Sequence, residues 1–189
     1  MTFSFTSDRI PSPDTILRLF DIASTASDQD MVLLIEHKGT AIEGESPREF
    51  KDGKKRLATM GYMLISGVQE TSTNNSKPMV TTSDLIVVRQ CDGASASIAS
   101  LFKNQDKNLK VMLSFFKSGG DGPSKEQEPT LEITIEEGRI AHFSMLTSDK
   151  FRGAPCEVIA IAHQGLKIDS APQLTSGLRG GVRVCHFGS

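Results

Sequence analysis

The chain has 189 residues, 38% of them hydrophobic and 23% charged, with a formal net charge of −2 and a sequence pI near 6.1. That length suits one domain able to bury roughly 70% of its unfolded surface, and the apolar content argues against wholesale disorder. Near-neutral charge gives no electrostatic reason to expect a nucleic acid or an anionic membrane as partner. No apolar run approaches the roughly 18 residues of a bilayer span, so membrane insertion is not expected.

Met1 to Asp8 carries neither a basic n-region nor an apolar h-region, so no cleavable signal is expected and any export needs another route. Ser12, Pro13 and Asp14 form a helix start, and Ile16, Leu17, Leu19, Phe20, Ile22 and Ala23 continue it as a short amphipathic helix. The small, polar segment from Ser24 to Asp30 ends that pattern. From Met31 the period becomes strand-like. Met31 to Glu36, Leu57 to Val68 and Met79 to Arg89 read as extended segments, the last two separated by the loop chemistry of Glu70 to Pro78.

Asp92 can cap a central helix whose Ala94, Ile98, Leu101 and Phe102 share one buried face. Leu109 to Phe116 alternates, with Val111, Leu113 and Phe115 on one side. Leu131, Ile133 and Ile135 alternate with Glu132, Thr134 and Glu136 as a half-buried strand. Ser118 to Ser124 reads as a polar hairpin connection, and Glu136-Glu137-Gly138-Arg139 as a charged hairpin turn. Further strands are expected at Arg139 to Leu146, Glu157 to Ile168 and Val182 to Phe187. The fold class is therefore mainly β: a compact β-barrel of two packed sheets with one flanking α-helix, plus a short N-terminal helix.

Reactive groups do not converge in the sequence. Cys91, Cys156 and Cys185 are an odd set without CxxC spacing, read as free thiols rather than a disulfide framework or zinc site. Cys156 and His163 lie seven apart on one expected strand, facing opposite sides about 23 Å apart, too far for a nucleophile and its base. His37 and His142 read as ordinary surface or edge residues, and Cys185 and His186, adjacent on a strand, point apart. The glycines at 119, 120 and 122 do not open a helix, so they are no phosphate loop. Lys51 to Arg56 is too interrupted by Asp52, with Glu49 beside it, for a nucleic-acid patch. No catalytic residue, metal or cofactor is expected.

Two short signatures remain. Ile42-Glu43-Gly44-Glu45-Ser46 follows the first strand, and Asp92-Gly93-Ala94-Ser95-Ala96-Ser97 follows the strand Asp84 to Arg89. With the later Pro155-Cys156-Glu157 step before Val158, their order over roughly residues 31–169 resembles the haemolysin-coregulated protein family, the tube subunits of type VI secretion. Ile42, Gly44, Glu45, Ser46, Asp92, Ala94, Ser95, Pro155 and Glu157 carry the resemblance. Gly93 and Ala96 stand where the family has Lys and Pro, and tryptophan is absent, which marks a divergent member.

The resemblance implies a non-enzymatic subunit that closes into homo-hexameric rings. These would stack into the inner tube of a contractile apparatus, with sheath, spike and effector proteins as partners. It also implies a bacterial cytoplasmic origin and export by that apparatus. Residues 1–30 and 170–189 would be extensions of a domain at 31–169. The mixed-charge loop, with Arg48, Glu49, Phe50, Lys51, Asp52, Lys54, Lys55 and Arg56, suits the ring-stacking contact. The rival readings are a monomeric binding barrel with Phe102, Phe115, Phe116 and Phe143 lining a pocket, a hydrolase reacting through Cys156 or a histidine, and a phage-like tail-tube subunit.

Overall fold

The computed structural model describes residues 14, 15, 17, 18, 21, 29–46, 48, 50, 52–59, 67–70, 79–117, 128–147, 153–172 and 180–188. The expected N-terminal helix and the loops at 71–78 and 118–127 lie largely or wholly outside them. The strands are β1 (Gln29–His37), β2 (Thr40–Ala41), β3 (Leu57–Thr59), β4 (Gly67–Glu70), β5 (Met79–Thr82), β6 (Leu85–Gln90), β7 (Leu109–Lys117), β8 (Leu131–Thr147), β9 (Pro155–Ala162), β10 (Leu166–Ser170) and β11 (Arg183–Phe187). Helix α1 (Ser95–Asn104) lies between β6 and β7.

Nine strands form one antiparallel sheet in the order β11-β10-β8-β7-β1-β2, with β3 also on β1 and β9 joining β8 to β6. The sheet curls into a half-barrel. Its two layers are two halves of one sheet, and β8 belongs to both. Residues 131–135 of β8 lie between β7 and β10, while Arg139 to Thr147 pair with β9.

That corrects the hairpin expected at Glu136-Glu137-Gly138-Arg139. The strand runs unbroken for 17 residues. Gly138 sits where one half passes into the other, opposite Leu109. A Cβ there would lie 3.2 Å from the γ-methyls of Ile135 and Ile161 and 3.3 Å from the Leu109 carbonyl oxygen. The glycine admits neighbouring layers rather than turning the chain. Glu136 and Glu137 are exposed and fall where the β7–β8 register shifts, so the strand carries them as an irregularity in the ladder and not as a turn.

Two long segments break in the opposite sense. Met79 to Arg89 divides at Ser83 and Asp84 into β5 and β6, and Glu157 to Ile168 divides at His163 to Gly165 into β9 and β10. The core fills the inside of the curl. Leu33 and Ile35 of β1, Val111 and Leu113 of β7, Ile133 and Ile135 of β8, and Ile159 and Ile161 of β9 face one another, with Ala94, Ile98 and Leu101 of the helix segment against them. Phe102 stacks on Phe143 at 6.3 Å between centroids, fastening α1 to the second half of β8. At the end of α1, Gln105 takes a left-handed conformation (φ 54°), and the Asp106 N–H donates to the Leu101 carbonyl, closing the helix.

Candidate assembly site

Strand β6 is apolar and buried from Leu85 to Val88, then places a cation one residue before its end. Arg89 is 0% exposed. A guanidinium so deeply placed needs partners on every side. Glu157 stands directly across the β6–β9 ladder, also 0% exposed, with its Oε1 2.6 Å from Arg89 Nη1. Asp92 Oδ2 lies 2.5 Å from Nη2 as an ion pair, without the geometry of a hydrogen bond. Nε donates to the Ala58 carbonyl of β3 at 3.3 Å.

Asp92 also prepares the helix. Its Oδ1 accepts the Ala94 N–H at 2.9 Å, its own N–H donates to Ser95 Oγ at 3.1 Å, and its carbonyl accepts the Ser95 N–H. Asp92 therefore does not cap the helix as expected: the N-cap position falls to Ala94, which has no side-chain cap, and Asp92 with Ser95 instead builds the turn just ahead of it.

The two signatures meet here. The Glu45 N–H donates to Asp92 Oδ2 and the Gly93 N–H to Glu45 Oε1, each at 3.3 Å. They lie 47 and 48 residues apart in sequence. Gly44 lies against β3: a Cβ on it would sit 2.7 Å from Leu57 Cδ2 and 2.8 Å from both the Arg56 carbonyl oxygen and Leu57 Cα. Two residues on, the Ser46 N–H donates to the Arg56 carbonyl at 3.1 Å and closes the base of the charged loop. Ile42 donates its N–H to the Ile35 carbonyl and packs against the core. Pro155 is exposed, and its carbonyl accepts the Cys91 N–H. Gly44, Glu45, Ser46, Asp92, Ala94, Ser95 and Glu157 therefore surround one guanidinium and the loop base beside it.

The loop lies down on the outer face of the sheet. Arg48 is 6% exposed and covers the Phe116 ring at 3.9 Å. Phe50 meets the same ring at 6.1 Å and carries Arg56, 8% exposed, at 4.5 Å from its own centroid. Lys54 pairs with Glu36. Asp52 and Lys55 are exposed and Lys54 half-buried. Glu49 and Lys51 lie outside the described residues. Of the eight loop residues selected from the sequence, then, two arginines are committed to packing within the chain.

Asp52 accepts from Arg56 Nη2 at 2.8 Å and from the Lys54 N–H at 3.0 Å. Partial burial pushes its carboxyl up, but the Arg56 bond, the Lys54 N–H and the two positive charges outweigh that and hold it below the ordinary range. A depressed carboxylate stabilises the fold above its unfolded pKa and loses that contribution as pH falls through the folded value. The urea-midpoint gap between wild type and Asp52→Asn is expected to be widest at neutral pH and to close below about pH 4. A gap that stayed constant across that range would count against the pair.

The remaining candidates stay apart. Cys156 lies near the start of β9, and His163 just beyond its far end. The Cys156 thiol is pushed up by burial and by nearby Cys91 and Glu157, and Cys91 by burial and Glu157, which leaves both as poor nucleophiles at neutral pH. His163 Nε2 lies 3.0 Å from the Ser83 carbonyl oxygen, and His37 lies 3.9 Å from Asp106. His142 is half-buried beside the Ser144 hydroxyl, its pKa lowered by burial. Cys185 and His186 pair with Ile168 and Lys167, on opposite faces of β11.

Phe115 faces the core and Phe116 the outer face, so the four phenylalanines share no pocket. An open cleft of about 520 Å³ lies elsewhere, lined among others by Glu136, Gln164, Lys167 and His186. Among the described residues, no three His, Cys, Asp or Glu side chains are placed to hold a metal ion, and no helix is long and apolar enough to cross a membrane. Arg89 escaped the sequence reading. Its signal was a lone cation ending an apolar run, three residues before Asp92.

A curled antiparallel sheet with one packed helix, and a charge cluster built into the packing beside a surface loop, defines a β half-barrel protein with an internal clasp. The family model described as "Type VI secretion system effector, Hcp" matches residues 34–169. Solved structures share the fold. Hcp1 from Salmonella typhimurium aligns with a TM-score of 0.61 at 17% identity, covering 84% of this chain and 95% of that one. A type VI secretion system effector from Yersinia pestis gives 0.57 at 18%, covering 83% and 99%. The secreted protein Hcp3 from Pseudomonas aeruginosa gives 0.55 at 12%, covering 85% and 99%. No curated protein matches the chain significantly in sequence. With more than half its length matched by the family model, the chain belongs to the Hcp family of type VI secretion.

Proposed function

We propose that this chain is a structural, non-catalytic subunit that closes into hexameric rings and stacks them into the inner tube of a type VI contractile apparatus. In this reading it is made in the bacterial cytoplasm and exported by that apparatus, and its partners are the sheath, spike and effector proteins. Residues 31–169 form the tube-protein domain, with 1–30 and 170–189 as extensions; β11, in the second, adds a strand to β10.

The observation that carries the reading is the family match joined to a fold likeness that spans 95–99% of the Hcp1, Hcp3 and Yersinia chains. A ring of identical copies needs two complementary lateral faces, a heterologous contact that closes on itself. Stacking needs a weaker contact. The loop suits it through its exposed charges, Lys55 and the Asp52 carboxylate already bonded to Arg56, because exposed ion pairs contribute about 0–1 kcal/mol each. Native mass spectrometry and electron microscopy of the purified chain at high micromolar concentration test this. Six-fold rings and short stacks are expected; a strict monomer by both methods would overturn the reading.

A further inference from the structure

We infer that Arg89 is the positioning residue for the loop between Ser46 and Arg56, acting through Asp92 on one stem and through the Ala58 carbonyl on the other. The guanidinium shares no hydrogen bond or ion pair with a described residue of that loop. It holds Ala58, in the strand that leaves the loop, through Nε at 3.3 Å. It holds Asp92 at 2.5 Å, and Asp92 Oδ2 accepts the N–H of Glu45, in the segment that enters the loop. The two stems are tied to each other by the Ser46 N–H on the Arg56 carbonyl and by Gly44 pressed on Leu57. Glu157 supplies the fixed counter-charge from β9, which keeps the guanidinium from following the loop if it moves.

Asp92 is the joint in this chain of contacts. One carboxylate holds the turn that leads into the helix through Oδ1 and bridges the cation to the loop stem through Oδ2. Loop posture and helix start are therefore set together. The loop's own contacts, Arg48 on Phe116 and Arg56 on Phe50, then act on a base already held in place. The coupling is internal to the chain and needs no assembly, so its outcome is independent of the ring measurement.

Asp92→Asn isolates the joint. An amide offers one oxygen, so either the Ala94 N–H keeps its acceptor and Arg89 and Glu45 meet an NH2 group, or the reverse. Amide hydrogen exchange on the intact chain reads the result residue by residue. In Asp92→Asn the amides of Glu45, Ser46 and Gly53 are expected to exchange at least about tenfold faster than in wild type, while those of Leu113 and Ile133 in the sheet change by less than about twofold. Arg89→Lys keeps the charge but lacks the planar fork, and the same loop amides are expected to accelerate. A uniform acceleration across sheet and loop would reduce Arg89 to a general stability role and overturn the inference. Unchanged loop exchange in either variant would do the same.

Discussion

Arg89→Met lowers the unfolding free energy by about 3–5 kcal/mol, the loss expected when one partner of a buried ion pair is removed. The reason is what remains. Glu157 is 0% exposed and would lose the one cation it pairs with among the described residues, where its Oε2 already lacks a hydrogen-bond partner. The Asp92 side chain is 9% exposed and would keep its bonds to the helix start but lose its counter-charge. Removing the stranded charge as well should restore most of the loss. Arg89→Met with Glu157→Leu is expected to come within about 1–2 kcal/mol of wild type, because apolar replacements of buried pairs are often neutral. Urea unfolding at one fixed protein concentration measures both. A single variant that lost less than about 1 kcal/mol would show the cation to be dispensable to the fold.

Gly44→Ala has the second large effect, about 1–3 kcal/mol, through overpacking. Two of the three atoms its Cβ would strike are backbone: Leu57 Cα, in the β3 pairing that ends the loop, and the Arg56 carbonyl oxygen, which accepts the Ser46 N–H. Neither can swing aside as a side chain does. Gly93→Ala supplies the contrast, since its Cβ would meet only Glu45 Oε1 at 3.4 Å, an ordinary contact. That variant is expected to stay within about 0.5 kcal/mol of wild type. Equal effects in the two variants, measured by thermal or urea unfolding, would remove close approach as the reason for a glycine at position 44.

Apart from Arg89, these predictions concern residues that the sequence marks for a different reason. Gly44, Glu45 and Asp92 were selected because their order resembled a family, and each alone is a local turn or capping signal. Their shared address became visible only when β1, β6 and β9 were placed, since Glu45 and Asp92 are 47 residues apart. The charged loop shows the opposite case. Its composition reads as a solvated protrusion, yet Phe116 on the outer face of β7 draws Arg48 and Phe50 down onto it. A phenylalanine beside another phenylalanine in a strand does not announce which of them will have a cation over it.

What the sequence determined by itself were the elements whose period is set by one neighbour or one face. β1 and β7 follow from apolar runs and alternation, and α1 from spacing that buries Ala94, Ile98 and Leu101 together. What the tertiary structure decided were continuity and meeting points. Glu136 to Arg139 has the composition of a turn, but Leu109 of β7 opposite Gly138 and Ala162 of β9 opposite Arg139 keep the strand going past a register shift at the two glutamates. Arg89 ends an apolar run as any surface cation does, but Glu157 arriving from β9 makes its burial affordable. Local propensity is worth a few tenths of a kcal/mol per residue, so a ladder partner or a buried counter-charge from elsewhere in the chain overrules it.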